Sequence, residues 1–92
     1  MDPQSRLAFD RIVGSDTARS RRSPAQHAET VEAVNAALRS GAIVLSPFDP
    51  AGPPHYFDGH TMHTWFVRAG AIYHRRTGPD GALLGDRRLG PS

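Results

Sequence analysis

The sequence predicts an α+β fold, with one or two helices packed on one face of a small three- to four-stranded, mainly antiparallel sheet. Three observations carry that expectation. Residues 23–41 hold a helix signalled at both ends, residues 62–76 read as a hairpin around Ala69-Gly70, and the apolar runs that remain are strand-sized. A chain of 92 residues without cysteine has room for one core and no disulfide or thiolate-zinc staple to supplement it. Packing has to hold the fold, so the largest apolar side chains are the first candidates for the interior.

At the N-terminus, Asp2 reads as an N-cap with Pro3 at the first helical position. Leu7, Ala8, Phe9, Ile12 and Val13 then give a short amphipathic helix that ends at Gly14. Residues 14–23, GSDTARSRRS, show no apolar period and carry three arginines, which reads as a mobile linker or basic loop. Residues 1–22 are therefore expected to be a loosely docked helix and linker, and 23–92 the α+β core of a single domain.

The second helix is the best signalled element. Ser23 and Pro24 form its N-cap and first position, Glu29 and Glu32 lie in its N-terminal half, Arg39 in its last turn, and Gly41 just past its end. Ala28, Val31, Val34 and Leu38, with Ala37, recur at three- and four-residue spacing and give it one apolar face to lay on a sheet. The glutamates read as its solvated face.

Residues 42–48, AIVLSPF, follow as a β-branched apolar run stopped by Pro47, and are expected to form a buried strand. Three prolines interrupt the next twelve residues, 49–60, which reads as a loop too long to be incidental. If Ala69-Gly70 form a two-residue turn, Val67 faces Ile72, Phe66 faces Tyr73 and Trp65 faces His74, whereas a three-residue turn with Gly70 left-handed shifts this register by one. Ala82-Leu83-Leu84 then form a short last strand or strap after the turn at Gly78–Gly81.

The ending also repeats itself: Arg75-Arg76-Thr77-Gly78-Pro79 returns as Arg87-Arg88-Leu89-Gly90-Pro91. Two copies at a twelve-residue offset are too few and too short for a stacked repeat array. They read as a meander whose strands end in arginines and Gly-Pro stops.

Composition limits the function classes. All eleven basic residues are arginine, with nine glycines and eight prolines, a bias typical of high-GC coding and hence of a bacterial or phage source. The formal charge of +2 is small, so the distribution of charge matters more than its sum. No apolar run approaches the roughly 18 residues of a membrane span, and the N-terminus lacks a signal-peptide pattern, so a cytoplasmic protein without a membrane role is expected. No phosphate-binding glycine loop, serine elbow or cysteine nucleophile occurs, which points away from an enzyme and from a cofactor.

Three surfaces remain. The leading expectation is a small non-catalytic binding protein, an accessory factor or inhibitor, meeting a protein partner through Tyr56, Phe57, Trp65, Arg75 and Arg76, because aromatics and arginine dominate interface energies. The alternative is a nucleic-acid-binding regulator using Arg19, Arg21, Arg22, Arg75, Arg76, Arg87 and Arg88 against phosphates, with strand aromatics under the bases. A second alternative is a metal site of His55, Asp58, His60 and His63, an acceptable nitrogen and oxygen ligand set within nine residues. An uncovered sheet edge leaves a homodimer open as well.

Overall fold

A computed structural model describes all 92 residues. Helix α1 spans Pro3–Val13, α2 Asp16–Ser20 and α3 Pro24–Ser40; strands follow at β1 His55–Phe57, β2 Met62–Arg68, β3 Ala71–Thr77 and β4 Leu83–Pro91. The strands form one antiparallel sheet in chain order, β1-β2-β3-β4, as a meander of short connections gives.

The long helices begin and end where the sequence places them. Asp2 accepts the backbone N–H of Ser5, and Gly14 closes α1. Ser23 and Gln26 make a reciprocal capping box on α3, and Gly41 ends it in the left-handed conformation, at φ 82°. The hairpin takes the register of the two-residue turn: Val67 opposite Ile72, Phe66 opposite Tyr73, Trp65 opposite His74. Ala69 and Gly70 both have positive φ, 52° and 73°, as a tight hairpin turn demands.

Strand alternation decides what each residue does. Tyr56, His63, Trp65, Ile72 and His74 face the helices and are buried. With Phe9 and Val13 of α1, Val31, Val34 and Leu38 of α3, Ile43 and Leu89, they form one core around Trp65, which has no exposed surface. Phe9 meets Trp65 edge-on at 5.9 Å, and the indole N–H donates to Asn35 Oδ1 at 2.8 Å.

Five expectations need correction. Residues 14–23 are not an unstructured linker: Ser15 caps the five-residue helix α2. Nor is α1 loosely docked, because Phe9 and Val13 reach the core and Ser5 Oγ accepts the backbone N–H of Val44.

Residues 42–48 form no strand. Their amides are taken elsewhere, Ile43 N–H by Ala37 O and Val44 N–H by Ser5 Oγ, so Ile43 plugs the core while Phe48 is left 89% exposed. The place of a fourth strand is filled instead by residues 55–57 of the proline-rich segment, and β4 runs nine residues rather than three. Bulges opposite Ile72/Tyr73 and Arg76/Thr77 let that long edge strand keep pairing.

Candidate functional site

The repeated arginines do not converge. Neighbouring residues on a strand point to opposite faces, and Arg75-Arg76 and Arg87-Arg88 lie inside β3 and β4 rather than at their ends. Arg75 and Arg88 belong to the face without helices; Arg76 and Arg87 belong to the face that α3 partly covers.

The uncovered face is built from the other half of each strand: Phe57 of β1, Met62, Thr64, Phe66 and Arg68 of β2, Tyr73 and Arg75 of β3, Asp86 and Arg88 of β4. Phe66 and Tyr73 stack across the hairpin with centroids 5.6 Å apart and planes 15° from parallel. Guanidiniums flank them, Arg75 4.7 Å from the Phe66 centroid and Arg68 4.8 Å from that of Tyr73.

Arg75 is also held by Asp86 through two hydrogen bonds of 2.9 and 3.0 Å. Those bonds raise its own pKa and lower that of Asp86. Asp86 is the one carboxylate of this face, whereas Arg68 and Arg88 make no ion pair.

The residues expected to meet a partner divide. Tyr56 and Trp65 are in the core and cannot form that surface; Phe57, 52% exposed, and Arg76 remain accessible on opposite faces. The arginines of the N-terminal segment divide in the same way. Arg19 donates to Gly14 O and pairs with Asp16, and Arg22 donates to Val13 O at 2.6 Å and to the Tyr56 hydroxyl at 3.2 Å. Both tie down the end of α1, which leaves Arg21 exposed without a partner.

That corner borders a cleft of about 840 Å³ between α1, α2 and the proline-rich segment, where His27 Nδ1 and the Tyr56 hydroxyl are 2.5 Å apart.

The histidine set separates too. His55 and His60 are exposed, and no three of His55, Asp58, His60 and His63 come together as metal ligands. Asp58 and His63 do meet, His63 Nε2–H donating to Asp58 Oδ2 at 2.9 Å, and the third member is His74, whose Nε2 lies 2.8 Å from His63 Nδ1. Burial works to raise the Asp58 pKa, but the donors Thr61 N–H, His63 and His60 N–H outweigh it and leave the value lowered. His74 is pushed down to about 4, first by burial and then by the neighbouring charges of His63 and Arg76.

Composition and spacing missed Arg68 and His74, whereas Phe66 and Tyr73 were among the strand aromatics expected under the bases. The hairpin register held the signal for all four, since the face that buries Trp65 must turn Phe66 outward and bring His74 beside His63. No protein-family model, curated protein or solved structure matches the chain, so its surfaces alone bear on its function. No helix is long and apolar enough to cross a membrane.

Proposed function

We propose that the protein is a non-catalytic binding protein that holds a short stretch of single-stranded nucleic acid on the uncovered face of its sheet. The observation that carries this reading is the stacked Phe66–Tyr73 pair flanked by Arg68 and Arg75, with Arg88 beside it on β4. The guanidiniums of Arg75 and Arg68 lie over the stacked rings, so bases can stack on their planes and against the ring edges while Arg88 meets phosphates.

Size supports the same choice. Four strands at about 4.8 Å and seven residues at about 3.3 Å make a face of about 400 Å². A sheet face of this extent holds two or three bases. The protein-partner expectation also loses two of its five residues, Tyr56 and Trp65, to the core.

The test is an amide NMR titration with mixed-sequence single-stranded hexanucleotides. Shifts are expected at Phe66, Arg68, Tyr73 and Arg88. With about three phosphates neutralised at a slope of about −0.7 each, affinity is expected to fall about 18-fold between 50 and 200 mM salt. Unperturbed amides on this face, or binding indifferent to salt, would reject the reading and return attention to a protein partner.

A further inference from the structure

On the opposite side of the sheet, between α3 and strands β3 and β4, lies a groove of about 460 Å³ bordered by Glu32, His63, His74, Arg76 and Arg87. Its floor is a chain of three titratable groups whose hydrogen bonds fix one another. The Asp58 carboxylate can only accept, so His63 presents Nε2–H to it, and in the neutral form of the His63 ring its Nδ1 is left as an acceptor. His74 must then supply its Nε2–H to His63, which leaves His74 Nδ1 as a bare lone pair.

That second nitrogen has no hydrogen-bond partner in the protein. Although His74 as a residue is only 6% exposed, no side-chain nitrogen or oxygen is both sealed from solvent and unpartnered, so Nδ1 reaches the groove. A lone pair held in a buried ring calls for a donor from outside the chain. The groups around it specify what else that donor carries. Arg76, unpaired, comes from β3, and Arg87 from β4 is engaged only by an exposed 3.4 Å contact with Glu32 of α3. Asp86, also at the groove, is committed to Arg75 on the other face.

We infer that this groove is a binding site for hydrogen phosphate, whose P–OH donates to His74 Nδ1 while its anionic oxygens take Arg76 and Arg87. The donor set separates phosphate from sulfate, which has the same shape and charge but no proton to give at neutral pH. Such a site is independent of the nucleic-acid reading, because the two surfaces lie on opposite faces of the sheet.

Asp58 and His63 act as positioning residues that hold the His74 tautomer. Glu32 acts as a competitor for Arg87. The charged and titratable groups facing His74 are therefore Glu32 from α3, Asp58 and His63 from the β1–β2 side, Arg76 from β3 and Arg87 from β4, with the Asp86 carboxylate turned to Arg75 on the other face.

The deciding experiment is a titration of the unmodified protein at pH 8 with inorganic phosphate and, separately, sulfate, read by the imidazole ¹⁵N resonances of His63 and His74. Phosphate is expected to bind at least tenfold more tightly than sulfate and to shift His74 Nδ1. In a second titration ribose 5-phosphate, whose phosphate carries no proton at pH 8, is expected to bind as weakly as sulfate, and binding equal to that of phosphate would overturn the P–OH donation. Glu32→Gln is expected to tighten phosphate binding severalfold, and Arg76→Ala, at an exposed position, to weaken it about tenfold with the fold intact. Equal affinity for sulfate, no binding of either anion, or a His74 Nδ1 resonance typical of N–H in the free protein would each overturn the assignment.

Discussion

Two buried polar residues explain much of the interior, and both became legible only through their partners. Asn35, fully buried on α3, accepts the Trp65 indole N–H and donates to Glu32 Oε1 at 3.3 Å. Asn35→Ala removes an acceptor and leaves a sealed indole N–H unpaired, which is expected to cost about 2–3 kcal/mol by urea denaturation. Replacing both partners with apolar groups, as in Asn35→Leu with Trp65→Phe, should cost clearly less than the two single changes added together.

His74 sets the response to acid. Its folded pKa of about 4 lies below the ordinary 6.5, so the unfolded chain takes up this proton first. The stability it contributes is complete above pH 6.5 and is lost as pH falls toward 4. With allowance for solvent screening in the groove, the loss is about 2 kcal/mol. Asp58, also lowered, adds to the loss at still lower pH. A urea midpoint that fails to drop between pH 7 and pH 4.5 would contradict the burial of a neutral His74. The sequence contained His63 and His74 but not their adjacency, which only cross-strand register supplies.

Among the elements, those governed by local chemistry were readable in advance and those governed by competition for partners were not. Helices α1 and α3 follow from Asp2-Pro3, Ser23-Pro24, Gly14 and Gly41, because capping is a contact within four residues. The hairpin follows from its two-residue turn. Since Ala69 carries a positive φ of 52°, Ala69→Asn is expected to stabilise the hairpin by about 0.5–1 kcal/mol, measured as a rise in melting temperature of a few degrees. An unchanged or lowered melting temperature would show that the turn is not strained there.

Residues 42–48 had the composition of a strand, yet strand formation needs a neighbour with free ladder groups. The β2 edge pairs instead with 55–57, whose Tyr56 brings a large ring into the core. The paired arginines depend on alternation in the same way. Once β4 extends over them, Arg87 and Arg88 must part to opposite faces, and a single basic patch from the repeated ending is geometrically excluded.

For the molecule as a whole, the layers depend on one another through Trp65. Helix α1 meets it with Phe9, α3 with Asn35, and β3 with His74, which stacks on the indole at 5.2 Å. In a core this small no layer can be removed cheaply. Phe9→Ala is expected to destabilise by about 3–4 kcal/mol, a large part of the total for a domain of this size, and to lower the denaturation midpoint accordingly. A change below about 1 kcal/mol would mean that α1 docks as loosely as the arginine-rich segment after it suggested.

What the sequence determined by itself was the fold class, both long helices with their caps, and the hairpin, whose register it left open between two turn lengths. Capping, periodicity and tight turns are settled between residues a few positions apart. What the tertiary structure decided was which candidate residues are surface and which are core. It buried Tyr56 and Trp65, dispersed His55 and His60, parted the arginine pairs and joined Asp58 to His63 and His74. The physical reason is that a side chain's role depends on which sheet face it takes and what covers that face, and both are fixed by pairings and packing between segments far apart in the chain.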